Sequence, residues 1–213
     1  LKSIVALGAV AILVIFQPEL RRALEAVGRG RIFGKSSGNQ FKKEGKHTVA
    51  EIISALDSFS NDRTGALIVF EKRDSLDDIV EKSGTVIDAV ITEQILGNRF
   101  YEGAPLHDGA VIIREGRVHA AGCVLPLTGR REFAKELGTR HRAGLGMTEH
   151  TDALVIIVSE ETGIISMAEH GELNRYMDLK TIEKTLLGMY LKSDRKSSIS
   201  SFIDKIRGKN NVE

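Results

Sequence analysis

Several short, unbroken apolar runs, each closed off by turn residues, constrain this chain more than any other feature. Ala153-Leu-Val-Ile-Ile-Val158 is rich in β-branched residues and lies between Thr151-Asp152 and Ser159-Glu160. It is too short for a stable helix and reads as a buried strand. Gly65-Ala-Leu-Ile-Val-Phe70 has the same character. Ala110 to Arg114 and Arg117 to Leu125 are two more apolar runs, joined by Glu115-Gly116 as a hairpin. Thr85 to Val90 and the alternating stretch Gly163 to Ala168, which turns at Glu169-His170-Gly171, complete the strands. Strands this apolar need covering layers, and the sequence between them supplies helices.

Thr48 with Glu51 three residues on has the form of a capping box, and Val49, Ile52, Ile53, Leu56 and Phe59 make one apolar face behind it. Shorter helices are predicted over Ser75 to Lys82, Thr92 to Leu96 and Arg131 to Leu137. A longer one runs from Asp178 to Leu191, with Leu179, Ile182, Leu186, Leu187 and Tyr190 on one side. The expectation is an α/β (α+β) fold: a mixed central β-sheet surrounded by helices, in one globular domain over residues 46–191. With no Trp and 5% aromatic residues, the core has to be aliphatic. A formal net charge of +1 gives no global argument for binding nucleic acid. The lone cysteine, Cys123, excludes an intrachain disulfide and sits in an apolar stretch as a small buried residue.

The flanks read differently. Leu1 to Phe16 is apolar apart from Lys2 and Ser3, and eight basic residues follow between Arg21 and Lys46, opposed by Glu25 and Glu44. That order fits the end of a transmembrane helix over residues 1–18 with its cytoplasmic flank. Residues 19–45 then form a juxtamembrane helix and a basic flexible linker, and residues 192–213 a tail rich in Ser and Lys. Gly28-x-Gly30 has no preceding strand and lacks the further glycine of a dinucleotide loop.

Between residues 103 and 161, polar groups interrupt the apolar pattern where packing gains nothing from them. Asp108 stands between His107 and Gly109 at the entrance to a strand, in a loop shaped by Gly103 and Pro105. An Asp-Gly pair is a common turn. A carboxylate held there also suits a hard divalent cation or proton abstraction from a hydroxyl, with His107 as a ligand for a softer metal. Arg140 and Arg142 flank His141. In a strand-like segment they point the same way and form a fork for phosphate oxygens, with Gly138, Gly144 and Gly146 allowing close approach and Thr139 adding a hydroxyl. Ser159, Glu160 and Glu161 follow the carboxyl end of a strand, where ligands of open α/β sheets collect. Thr151 and Asp152 read as a structural turn, and Glu149 and His150 as solvated. Phosphate donors plus one metal-binding acid are the equipment of nucleotidyl transfer.

Asp108-Gly109-Ala110, followed by Gly138-Thr139-Arg140-His141-Arg142 and then by Val158-Ser159-Glu160-Glu161, resembles the motif set of bacterial and archaeal diadenylate cyclase domains. The likeness spans residues 47–190, and the apolar N-terminus resembles the membrane-anchored class rather than the DNA-scanning one. The resemblance implies condensation of two ATP molecules into cyclic di-AMP with release of two pyrophosphates, across two facing subunits. It implies that Asp108 binds the metal and helps deprotonate the 3′-hydroxyl, with His107 as a second ligand. Gly109, Ala110, Leu125, Thr139, Arg140, His141, Arg142, Ser159 and Glu161 would contact ATP, Leu125 through its backbone beside adenine. The implied cofactor is Mn²⁺, Co²⁺ or Mg²⁺, with ATP as substrate. The implied partners are a second copy of the chain, the membrane, and, from the family alone, a YbbR-domain regulator and a phosphoglucosamine mutase. Two other classes compete: a silent nucleotide-binding regulator, which could keep the arginines and lose Asp108, and a nucleic-acid nucleotidyltransferase, disfavoured by the near-neutral charge.

Overall fold

The computed structural model describes residues 38–130 and 137–190. The expected membrane span, the first part of the basic linker, the body of the short helix from Arg131 and the C-terminal tail lie outside the described residues. Among the described residues no helix is long and apolar enough to cross a membrane.

In chain order the elements are α1 (Gly38–Asp62), β1 (Ala66–Phe70), α2 (Asp77–Ser83), β2 (Thr85–Val90), α3 (Glu93–Phe100), β3 (Ala110–Arg114), β4 (Arg117–Cys123), α4 (Thr139–His150), β5 (Leu154–Val158), β6 (Ile165–Glu169) and β7 (Glu172–Asn174). A last helix, α5, follows over residues 179–190. The seven strands of the described residues form one sheet in the order β2-β4-β3-β1-β5-β6-β7. β1 and β3 are parallel, and β1–β5, β3–β4, β2–β4, β5–β6 and β6–β7 are antiparallel. The expected mixed α/β sheet is what forms.

The apolar runs explain the layering. Residues of β1 alternate between faces, as a pleat requires. Ala66, Ile68 and Phe70 join Leu56 and Phe59 of α1, Leu96 and Phe100 of α3, and Ile182 and Leu186 of α5 in one buried cluster. Leu67 and Val69 join Val80 of α2 and Ala143 and Met147 of α4 in the other. The central strands are therefore covered on both sides, which is why their sequences do not alternate. β2, at one edge, is largely exposed.

Two local expectations are corrected. Thr48 does not cap a helix, because α1 runs unbroken through it from Gly38. The carboxylate of the supposed capping box serves a different helix: Glu51 Oε2 accepts the Glu93 N–H at 2.9 Å at the start of α3, where Thr92 Oγ1 also accepts from Ile95 N. The segment 139–150 is not strand-like but the helix α4. Its glycines are there for packing. A methyl on Gly144 would sit 2.9 Å from Ile157 Cδ1, and one on Gly146 would lie 2.6 Å from the Leu127 carbonyl carbon. Without side chains at these positions, α4 lies directly on β5 and under the Pro126–Thr128 strap.

Asp152 ties this corner to the far end of β1. Its carboxylate accepts from Arg73 N, Arg73 Nε and Asp74 N at 3.0 to 3.2 Å; burial pushes its pKa up, but these hydrogen bonds and the Arg73 charge outweigh it and hold the pKa below the usual carboxylate value. The turn reading thus holds, with partners from a remote segment.

Glycine to alanine inside an exposed helix gains about 1 kcal/mol. Here the sign reverses. Gly146→Ala is expected to cost about 2 kcal/mol or more, because the obstruction is backbone, and Gly144→Ala less, because Ile157 can rotate. Urea denaturation of the two variants reads the order directly. Equal or improved stability for Gly146→Ala would show that the strap does not rest on α4.

Candidate functional site

The strand directions gather the motif residues at one end of the sheet. Ala66 pairs with Val158, and Ala110 with Cys123, so the start of β1, the end of β5, the start of β3 and the end of β4 lie together. Gly65, Asp108-Gly109, Val124-Leu125 and Ser159-Glu160-Glu161 therefore share one rim. β3, β1 and β5 are consecutive, which spaces the Asp108 and Ser159 ends by about two strand separations, ~10 Å. The N-terminus of α4 meets the same rim, since the Arg140 guanidinium rests against Gly65.

Asp108 projects from this rim with its side chain 88% exposed. Gly109 makes the approach feasible. Its φ is +96°, and a methyl there would fall 2.8 Å from Cys123 O, so the chain passes close over β4 where a side chain cannot follow. Ala110 behind it is wholly buried in the sheet. His107 is held by its Nδ1, 2.6 Å from the Ala104 carbonyl oxygen. That carbonyl can only accept, so Nδ1 carries the proton and Nε2 is the free nitrogen of the neutral ring. Nε2 faces Asp108 Oδ1 at 3.5 Å. In the neutral ring a lone pair then confronts a carboxylate, an arrangement that a cation between them relieves. Backbone anchoring of the other ring nitrogen is what orients metal-binding histidines. The pair fits a divalent ion as a two-donor ledge. Among the described residues no cluster of three or more His, Cys, Asp or Glu side chains could hold a metal alone, so a divalent ion on this ledge would need further oxygen ligands such as water or phosphate.

The other side of the rim is cationic. Gly138 precedes α4 with no side-chain cap, so the first N–H groups of the helix point outward unpaired by side chains. Thr139 is exposed beside them. Arg140 is three-quarters buried and pairs through Nη1 with Glu160 Oε2. Arg142 has a buried Nε with no hydrogen-bond partner, while its carbonyl accepts from Thr128 N at 3.0 Å. An orphaned guanidinium N–H at an uncapped helix start suits an anion such as a phosphate. On a helix, residues 140 and 142 cannot point the same way. The two arginines therefore approach from different directions rather than as the parallel fork expected of a strand.

His141 lies between them but turns inward. It is buried, with Nε2 3.2 Å from Ser166 Oγ of β6, and burial, assisted by the charge of Arg175, lowers its pKa from the usual histidine value. Only its backbone reaches the rim. Ser159 Oγ accepts from Thr162 N at 3.3 Å and shapes the turn back into β6, while Glu161 is exposed beyond it. The Leu125 side chain is buried, which leaves its backbone to face a ligand. The strap after it is buckled to α4: the Thr128 hydroxyl donates to Glu149 Oε1 at 2.6 Å, so Glu149 is a structural acceptor rather than a solvated charge. Sequence reasoning passed over Gly65, Thr128 and the pairing role of Glu160. The only signal was a glycine opening a buried strand with no turn to explain it.

The chain has counterparts among known proteins. The family described as DAC, DisA bacterial checkpoint controller nucleotide-binding, matches residues 53–173. The cyclic di-AMP synthase CdaA of Bacillus subtilis (strain 168) is 42% identical over 204 residues, covering 96% of this chain and 73% of that protein. A diadenylate cyclase of Listeria monocytogenes serotype 1/2a is 45% identical over 180 residues, and the chain spans 65% of its length. Among solved structures, a double mutant of DacA from Staphylococcus aureus superposes with a TM-score of 0.67 at 39% identity, covering 70% of this chain and 98% of that one. A Bacillus cereus protein described as a hypothetical membrane spanning protein superposes at 0.56 with 41% identity, over 61% of this chain and 63% of that one.

The buried histidine makes a testable contribution to stability. His141 is lowered from 6.5 on folding, so the unfolded chain binds the proton first as pH falls. Its stabilisation is complete above 6.5 and is lost as pH drops below that value toward the folded pKa. The melting temperature is expected to decline between about pH 7.5 and 5.5, and His141→Gln is expected to flatten that decline whatever its absolute stability. Asp77 and Asp152, both lowered from 3.8, contribute only in a more acidic window. An unchanged slope in His141→Gln would mean that the imidazole is not held neutral by the fold.

Proposed function

Because this chain belongs to the DAC family, its chemistry is the nucleotidyl transfer of diadenylate cyclases, which yields cyclic di-AMP, and we propose how its own residues divide that work. One ATP lies along the rim. Its triphosphate takes the uncapped start of α4, with Thr139, Arg140 and Arg142 as donors and Ser159 and Glu161 beside it. Its adenine lies by the backbone of Leu125, and Gly109-Ala110 let the ribose approach the sheet end. Asp108 and His107 Nε2 hold a divalent ion, Mn²⁺, Co²⁺ or Mg²⁺. Once bound, that ion neutralises phosphate charge and makes the 3′-hydroxyl more acidic.

Asp108 accepts the 3′-hydroxyl proton. The 3′-oxygen bonds to the α-phosphorus of a second ATP, and the bond from that phosphorus to pyrophosphate breaks. Repeated in the other direction, the step closes the ring and releases the second pyrophosphate. The observation that carries the reading is the exposure of Asp108, whose side chain is 88% open at the rim. A general base needs a dry, positioned partner. A second copy of the chain, presenting its own ATP, supplies both in a homodimer with facing sites. The membrane spanning description of the B. cereus neighbour, together with the apolar run before Phe16, supports anchoring at the membrane with the domain on the cytoplasmic side.

Incubation with ATP across a Mn²⁺, Co²⁺ and Mg²⁺ series, with products separated by chromatography, is expected to give cyclic di-AMP. None in any metal would overturn the reading. Asp108→Asn is expected to lower turnover by at least ~10²-fold while ATP affinity, read by calorimetry, stays within about tenfold, ~1.4 kcal/mol. Normal turnover in that variant would remove Asp108 from the proton transfer.

A further inference from the structure

We propose that Gly65 and Glu160 are positioning residues that seat the Arg140 guanidinium at the phosphate end of the site, which rests on the reading of Arg140 as a triphosphate donor. Three remote segments meet at this seat: the start of β1, the start of α4 and the turn after β5. A methyl on Gly65 would lie 2.7 Å from Arg140 Nη1, 2.8 Å from its Cζ and 2.9 Å from Glu160 Oε2. The guanidinium and the carboxylate therefore close over a bare backbone. Gly65 has no backbone reason to be glycine, since its φ lies outside the left-handed region. It opens a buried strand, where glycine weakens the element. Space for the ion pair is what its missing side chain provides.

Glu160 fixes one end of the guanidinium. It takes Nη1, and among the described residues no protein acceptor is hydrogen-bonded to Nε or Nη2. A guanidinium carries five N–H donors in a rigid fork, so holding it by one edge leaves the rest oriented for another anion. Arg140 is 25% exposed and Glu160 62%, so the arginine is sheltered and the carboxylate forms the outer wall. Donors fixed before the ligand arrives contribute more than donors ordered by it. The charge of the Glu160 carboxylate repels a phosphate, a cost that its hold on Arg140 offsets. Its presence there makes sense as an orienting group.

Two substitutions separate orientation from charge. Gly65→Ala keeps every charge and displaces only the flexible ends of Arg140 and Glu160. Glu160→Gln removes the repulsive charge and the strong tether together. Steady-state kinetics with ATP is the readout, with thermal melting as a check on folding. Gly65→Ala is expected to raise KM about fivefold or more without a matching fall in melting temperature. Glu160→Gln is expected to raise KM as well, whereas a pure charge effect would lower it. In an Arg140→Ala background, Gly65→Ala is expected to change KM by less than about twofold, because a residue acting through Arg140 has nothing left to act on.

An unchanged KM in Gly65→Ala, a lowered KM in Glu160→Gln, or additive penalties in the double variant would each overturn the positioning role. Should Gly65→Ala misfold, the exposed Glu160→Gln still decides. Arg140→Ala alone, tested in parallel, separates the two levels. Wild-type kinetics there would sink the assignment of Arg140 to the triphosphate, whereas a large defect there with silent Gly65→Ala and Glu160→Gln would sink only the seat.

Discussion

The close approach of α4 to the sheet is the contact on which the rim depends. Gly144 lets the helix settle against Ile157 and Val155, and Gly146 lets the Pro126–Thr128 strap cross its backbone. With a side chain at either position the helix would stand further out. Its N-terminus would then leave Gly65, and Thr128 N would lose the Arg142 carbonyl. A helix of low intrinsic propensity is accepted here because packing, rather than propensity, stabilises most helices in folded proteins. One spacing, helix to sheet, thus sets the height of the start of α4, with Arg140 and Arg142, and of the strap after Leu125.

The centre of the sheet was legible because β1, β3 and β5 are buried on both faces, and an unbroken apolar run needs no partner to be recognised. β1, β3, β4 and β5 fall where Gly65-Phe70, Ala110-Arg114, Arg117-Leu125 and Ala153-Val158 put them, within a few residues. α4 was not legible. Its two interior glycines each disfavour helix by about 1 kcal/mol, and the compensation comes from Ile157 and the strap, which are distant in sequence. The capping box at Thr48 misled for the same reason. Glu51 finds its N–H in Glu93, 42 residues away. Local patterns report local partners, and in this fold several of the decisive acceptors serve remote donors, as Asp152 does for Arg73 and Asp74 across 79 and 78 positions.

The candidate site residues stand out in the sequence by type, while the environment of each side chain does not. Asp108, Arg140 and Arg142 stand out because packing has no use for them. The structure separates what the motif runs together. In Arg140-His141-Arg142, the first side chain is paired at the rim, the second is committed to the core against Ser166, and the third keeps a buried Nε without a partner. Helical geometry forces this, since successive residues turn by about 100° and cannot share a face. A buried neutral histidine between two arginines is also electrostatically sensible. A third positive charge there would meet the repulsion of Arg175 and the cost of burial.

The two halves of the rim are unequally finished. On the α4 side the charges are sheltered or paired. On the Asp108 side the carboxylate stands in solvent with a histidine nitrogen aimed at it. An ionised group in water is stabilised by water, and it gains little power as a base until that water is displaced. Nothing within the described rim can displace it, because the loop from Tyr101 to His107 is itself exposed or half-buried and closes on its own backbone through Ala104. In the function proposed above, the wall that covers Asp108 is a second copy of the chain. Under the proposed facing arrangement, the chemistry depends on encounter between two loaded copies rather than on ATP binding to one.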